Sequence, residues 1–223
     1  MEREKGFTLI EISIVLVIAS LLLGSLLGPL AAQVENSRRK ATISQIDHIR
    51  DALIGFSMGA GRLPCPDTDG DGQEDPLDGV GGCDATNGLL PVATLAINAD
   101  DGWKQTLLYY VDNRFADDTD GTGCGTPEAG ISFELCSQGD ITVLDSSGGN
   151  VVAANIPVLV LSKGKIWFDE RSDNERENDD GDRVLVDRVY TGVIGEEYDD
   201  IVRWISPNTL RVKMVDAGRF TSP

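Results

Sequence analysis

The chain has 223 residues, of which 37 are Asp or Glu and 19 are Lys or Arg, giving a formal charge of −18. Residues 1–6 are neutral overall and residues 7–50 hold four basic against three acidic side chains, so residues 51–223 carry −19. A surface of that sign repels nucleic acid and anionic lipid and attracts cations, which argues against direct nucleic-acid binding.

The charged tail Met1 to Gly6 is followed by Phe7 to Leu27, a run with a single charge, Glu11. About 20 apolar helical residues cross a bilayer core, so the run is long enough to span. A carboxylate inside such a segment costs on the order of 3 kcal/mol or more and marks function. Arg3 and Lys5 favour a cytoplasmic tail, while Arg38, Arg39 and Lys40 argue weakly the other way. On pattern alone the segment has three fates. It is cut behind as a secretory signal, for which Leu30-Ala31-Ala32 offers an imperfect site, kept whole as an anchor, or cut in front and kept.

The string Lys5-Gly6-Phe7-Thr8-Leu9-Ile10-Glu11 resembles the processing site of type IV pilins and type II secretion pseudopilins. It has a short charged leader ending in glycine, then phenylalanine, then glutamate at the fifth mature position. The resemblance implies that a prepilin peptidase cuts between Gly6 and Phe7 and methylates the new amino group of Phe7. It also implies that Glu11 pairs with the N-terminal ammonium of a neighbouring subunit, offsetting the cost of two charges in lipid. Neither the secretory-signal nor the plain-anchor alternative accounts for Gly6 and Glu11 together.

Beyond the apolar run, Ile43, Ile46, Ile49, Leu53 and Phe56 recur three or four apart between polar residues. One helix from about Phe7 to about Ser57 is therefore expected, with Gly24, Gly28 and Pro29 inviting a kink or local melting in its middle. Gly61-Arg62-Leu63-Pro64 marks its end. The resulting plan is a leader at 1–6, a membrane or filament-core helix at 7–30, an amphipathic continuation at 31–60, and an acidic head at 61–223 of ~165 residues, large enough for its own core.

Four cysteines, Cys65, Cys83, Cys124 and Cys136, allow three pairings. Outside the cytoplasm disulfides persist, and the pairs 65–83 and 124–136 are preferred because each closes a Gly- and Asp-rich loop. Zinc is the competitor, but no CxxC spacing exists and the single histidine, His48, lies on the rod.

Between Cys65 and Cys83, the residues Asp67, Asp69, Asp71, Asp75 and Asp78 fall at relative positions one, three, five, nine and twelve, with Gly72 at six. This spacing wraps oxygen ligands around calcium while glycine makes the sharp turn. It resembles EF-hand loops and, more closely, thrombospondin-type aspartate repeats. Asp67, Asp69, Asp71 and Asp78 are the candidate ligands, with the Gln73 carbonyl in support and Asp75 direct or through water. Flanking Pro64, Pro66 and Pro76 disfavour helices, so a loop site is expected; a solvated acidic loop without metal is the alternative. Asp117-Asp118-Thr119-Asp120-Gly121 has too few spaced ligands to stand alone. A second acidic run, from Asp169 through Asp173, Glu175, Asp179, Asp180 and Asp182 to Asp187, precedes Tyr198-Asp199-Asp200-Ile201-Val202-Arg203-Trp204. That order partly resembles the calcium-binding C-terminal region of secretion pseudopilins, without selecting ligands.

Runs at 103–111, 131–136, 141–144, 157–161, 184–190 and 210–215 read as strands, giving an α+β fold: a long N-terminal helix with an antiparallel β-sheet head packed on its second half. Asp101-Gly102-Trp103 with Tyr109-Tyr110 resembles a stretch of pseudopilin heads, except that Lys104 stands where glycine is usual. No nucleophile and base are paired in the sequence, and no phosphate-cradling loop precedes a helix, so no enzyme is expected. The resemblance implies a homo-oligomeric helical filament, an inner-membrane assembly platform, and residence in the inner membrane before assembly into an extracellular pilus or periplasmic pseudopilus. A tethered or secreted calcium-binding module that never polymerises is the alternative from another class.

Overall fold

A computed structural model describes residues 8–77, 81–98, 100–117, 124, 130–165, 172–193 and 195–220. Its dominant element is α1, Leu9–Ala60, a 52-residue helix that extends ~78 Å at 1.5 Å per residue. Thr8 caps its start: the Thr8 hydroxyl accepts from Glu11 N at 3.3 Å, and Thr8 N donates to Glu11 Oε2 at 3.5 Å. Gly61 ends it in the left-handed region, φ 78°, a conformation glycine adopts without steric cost. The disturbance anticipated at Gly24, Gly28 and Pro29 does not break the helix, and Pro29 lies inside it.

The two halves of α1 differ in what they touch. The first is apolar and exposed, as in Leu21, Leu22 and Leu23, and is long and apolar enough to cross a membrane. In the second, Thr42, Ile46, Ile49, Leu53 and Ser57 form a fully buried stripe at three- and four-residue spacing. Each of its three large apolar side chains contributes roughly 1.5–3 kcal/mol on burial.

That stripe packs on a four-stranded antiparallel sheet of order β1 (Asn87–Leu89), β2 (Leu108–Val111), β5 (Val158–Ser162) and β7 (Ile201–Ile205). Behind it lies a three-stranded sheet, β4 (Val151–Ile156), β3 (Ile141–Leu144) and β6 (Val184–Val186). Strand β5 lies between the helical layer and the second sheet. Val158 and Val160 join the core with Ile46, Tyr109 and Phe115, while Leu159 and Leu161 join Ile141, Val143 and Leu185. Covered on both faces, β5 reads as an unbroken apolar run. Short helices complete the head: a 3-10 turn at Asn113–Phe115, α2 at Asp173–Glu177, and α3 at Pro207–Asp216. The architecture is α+β and pilin-like, with a long helix whose second half carries the head.

Several local expectations are corrected. Residues 210–215 are helix, not strand. Ser206 caps α3, its hydroxyl accepting from Thr209 N at 3.2 Å, and Pro207 starts it. The β-branched Val212 and Val215 face solvent, while Leu210 and Met214, four apart, are buried. Residues 131–136 form no strand; Ile131 and Phe133 are core, but Glu134 N donates to the Ser137 hydroxyl at 2.8 Å instead of a strand neighbour. The run at 103–111 is strand only from Leu108, and that at 184–190 only to Val186. Strand β4 was not anticipated, and β6 pairs parallel to β3, so the second sheet is mixed.

Cys65 pairs with Cys83 and Cys124 with Cys136, leaving no free cysteine and no thiolate for zinc. These are the pairings preferred on loop composition.

Candidate functional site

Glu11 lies exposed in the first turn of α1, where its carboxylate caps the helix through Thr8 N. A carboxylate here also faces the positive end of the helix dipole, a stabilisation of ~0.3–1 kcal/mol. Gly6 and Phe7, the residues expected to flank the cut, lie outside the described residues.

In the loop after Cys65, Asp67 is 2% exposed and organises the turn. Its Oδ1 accepts from Gly70 N at 2.7 Å and its Oδ2 from Gly72 N at 2.8 Å. Asp69 Oδ1 accepts from Asp71 N at 3.1 Å and Asp71 Oδ1 from Gln73 N at 2.7 Å. Gly70 and Gly72 both take positive φ, 81° and 85°, which lets the chain curl about the carboxylates. Oxygens of Asp67, Asp69 and Asp71 lie within 4.8 Å of one another, a separation that ligands of one calcium at 2.3–2.6 Å can share. Asp75 faces elsewhere, its Oδ2 accepting from Thr68 N at 3.2 Å and from the Thr68 hydroxyl. The Gln73 amide nitrogen donates to Asp71 Oδ2 at 3.3 Å. Asp78 lies outside the described residues. Glu74 anchors the loop: it takes a two-pronged ion pair from Arg62, 2.7 and 3.1 Å, and accepts from Cys65 N at 3.0 Å.

A second group was not resolvable from sequence. Glu175 of α2 and Asp199 and Asp200 before β7 are all buried, with carboxylate oxygens within 4.8 Å of one another. Glu175 Oε1 accepts from Asp199 N at 2.9 Å, Asp199 Oδ2 from Lys165 N at 2.8 Å, and Asp200 Oδ2 from Asn178 Nδ2 at 2.8 Å. Burying three carboxylates together is costly unless positive charge, protons or donors offset it. Burial raises the pKa of nearby Tyr198, and Asp200 and Asp187 add to the effect. The acidic run was visible in the sequence; the 24-residue separation between Glu175 and Asp199 hid which members meet. Of the remaining acids in that run, Glu177, Asp180 and Asp182 form a more exposed group. Residues 118–123 and 166–171 lie outside the described residues.

Of the comparisons with known proteins, one matches, and it matches at the N-terminus. The fold and the capped apolar rod define a pilin-like protein. The model of the prokaryotic N-terminal methylation motif matches residues 1–27, so the chain carries a prepilin-type motif, typical of type IV pilins and pseudopilins. The motif implies processing by a prepilin peptidase, and with the apolar helix behind it, anchoring in a membrane before assembly. Searches of curated proteins and of solved structures give no match.

Proposed function

We propose that the chain is a structural subunit of a type IV pilus-like filament, cut after Gly6, methylated at Phe7 and polymerised through α1. The observation that carries the reading is the methylation motif running directly into a 52-residue helix. The first half of that helix is exposed and apolar; the second is committed to the head. An exposed apolar rod needs lipid or other rods as its surroundings, and a filament supplies the second once the subunit leaves the membrane. Glu11 then pairs with the Phe7 ammonium of a neighbour, the partners being further copies of the chain, a prepilin peptidase and an inner-membrane assembly platform. Proteins bearing this motif are generally structural, and no catalytic role is assigned. Changing Glu11 to Ala tests polymerisation: the variant is expected to insert in the membrane without forming filaments, whereas normal filaments would reject the pairing.

The head is proposed to be held by its two disulfides and by calcium. The donor set supports a hard cation at Asp67, Asp69 and Asp71, with the Gln73 carbonyl, Asp75 and Asp78 as candidates for the remaining positions. The buried Glu175, Asp199 and Asp200 offer the same oxygen chemistry. This second group also favours one alternative, a type II secretion pseudopilin with a short periplasmic assembly, because an acidic segment precedes a strand carrying Trp204. Filament length in the native envelope separates the two.

A further inference from the structure

We infer that a cavity on the face of the first sheet turned away from α1 is a binding site for one neutral sugar ring. Its volume is about 200 Å³, below the ~300–1,000 Å³ of sites for drug-sized ligands. It therefore takes a single ring and leaves the rest of any chain in solvent.

The fold fixes the walls. Tyr109 and Tyr110 are neighbours in β2 and point to opposite faces of the sheet. Tyr109 joins the core beneath α1, and Tyr110 joins Leu159 and Leu161 on the other side. Asn87 of β1 is the direct cross-strand partner of Tyr110, so both side chains stand on that outer face, as does Leu108 two residues before Tyr110. Lys163 follows β5 at the lower end of the head, toward the apolar half of α1, where Ser162 pairs with Ile201 and Arg39 Nη1 donates to Asp199 O at 3.2 Å. Its ion pair with Asp179 draws the turn after α2 over the sheet. A Cβ on Gly181 in that turn would lie 3.5 Å from Asn87 Nδ2. Arg183 clamps the turn to the ends of both strands, donating to Val111 O at 2.9 and 3.0 Å and to Thr86 O at 3.4 Å. The walls are thus set before any ligand arrives.

One hydroxyl points to a ligand. Three tyrosines are buried, and two of them are satisfied: the Tyr109 hydroxyl donates to Pro64 O at 3.0 Å and the Tyr198 hydroxyl to Val186 O at 2.6 Å. Tyr110 is 3% exposed, yet among the described residues its hydroxyl makes no hydrogen bond, and the residue lines the cavity. A hydroxyl so placed needs a partner inside the cavity. Burial, then the charges of Asp179, Asp180 and Asp182, push the Tyr110 pKa up to about 12 against the opposing charge of Arg183, so the phenol remains a donor at neutral pH. The Asn87 carboxamide, also on the wall, likewise makes no hydrogen bond among the described residues.

Charge decides the class of ligand. Glu177, Asp180 and Asp182 stand around the same turn, so an anion is repelled. Those acids are engaged elsewhere: Glu177 accepts from the Ser147 hydroxyl at 2.8 Å, Asp180 from Asp182 N at 3.0 Å and Asp182 from Val184 N at 2.6 Å, while Asp140 pairs with Arg183. The charged side chains on the wall itself are Lys163 and Asp179, already paired with each other, so a cation would have to displace an ammonium. What the cavity offers is a phenol, a carboxamide and the two ends of an ion pair, a set that both donates and accepts. Sugar hydroxyls do both as well, and the carbons of the ring can rest on Leu108. Lying on the side away from α1, the cavity stays reachable whether the rod is in lipid or among other rods. A filament repeats it along its length, so that weak single sites act together.

The test is saturation-transfer NMR on the full mature chain in phosphatidylcholine nanodiscs, with glucose, galactose, mannose and N-acetylglucosamine, each as the free sugar and as its methyl glycoside. At least one is expected to bind with millimolar affinity. Binding of the free form alone identifies a soluble sugar as the ligand, and binding of both forms identifies the end of a glycan chain. Tyr110→Phe, which removes only the hydroxyl, should weaken binding about threefold to tenfold, and Asn87→Ala should act in the same direction. Tyr110→Phe should melt no lower than the parent, because the hydroxyl has no partner in the head. Tyr198→Phe, which loses the bond to Val186 O, should melt lower yet bind the sugar as the parent does. Transfer to none of the eight probes, equal binding by the parent and Tyr110→Phe, or tighter binding of glucuronate or glucosamine than of glucose overturns the neutral-sugar site.

Discussion

Gly102 meets the rod so closely that a Cβ on it would lie 2.4 Å from the Arg38 carbonyl oxygen, while its N–H donates to the Thr42 hydroxyl at 2.8 Å. This contact fastens the lower end of the head to α1. Replacement by alanine forces the two backbones apart, and overpacking of this kind costs about 1–3 kcal/mol. Denaturant unfolding of Gly102→Ala should show that loss, and an unchanged midpoint would mean that the turn moves freely.

Lys104 is the reverse case. Glycine at a positive φ removes strain of roughly 1 kcal/mol, so Lys104→Gly is expected to raise the melting temperature of the head by a few degrees. Calorimetry checks this.

Each disulfide closes a loop poor in apolar side chains, with sequence separations of 18 and 12 residues. Loop entropy assigns about 3 kcal/mol to each. Replacing Cys65 and Cys83 together by serine should lower stability by that amount. The same paired replacement at Cys124 and Cys136 should cost slightly less, measured by denaturant midpoints.

The rod was legible in the sequence because its signals are local: the apolar run, the stripe at three- and four-residue spacing and the proline after Leu63 lie within a few residues of what they control. Strand β3 was legible at its full length, and β5 almost so, because burial leaves an apolar run. Strand β4 was not, since Val151 and Val152 are more than half exposed and carry no alternating pattern. Helix α3 was hidden because Val212 and Val215 read as strand while the Ser206-Pro207 start outranks them. The calcium spacing is likewise local, but the diversion of Asp75 to Thr68, and the meeting of Glu175 with Asp199, depend on how the chain folds back.

Calcium makes a separable prediction. If Asp67, Asp69 and Asp71 hold the ion, free calcium at ~100 times Kd stabilises the head by about 2.7 kcal/mol. Asp69→Asn should abolish that response with little effect on the metal-free head, because Asp69 is exposed. Asp67→Ala should destabilise even the metal-free head by about 1–3 kcal/mol, since it strands the amides of Gly70 and Gly72. Melting curves with chelator and with calcium decide it; coincident curves reject the metal.

Asp187 sets a pH dependence. Burial raises its pKa above the ordinary aspartate value, and the guanidinium charges of Arg203 and Arg39 oppose the shift only in part. A raised folded-state pKa gives stability that is fully present below the unfolded value and lost as pH rises through the folded one. Asp187→Asn is therefore expected to be more stable than the parent at neutral pH, with the difference vanishing below about pH 4, near the unfolded aspartate pKa. Urea midpoints across pH test the sign.

The central claim is that the N-terminus is processed for polymerisation, and the mass and N-terminal sequence of the mature protein from its native envelope test it most directly. The account predicts a chain that begins at methylated Phe7. A chain that still carries Met1, or begins after Ala32, would contradict it and leave an acidic domain with no route into a filament.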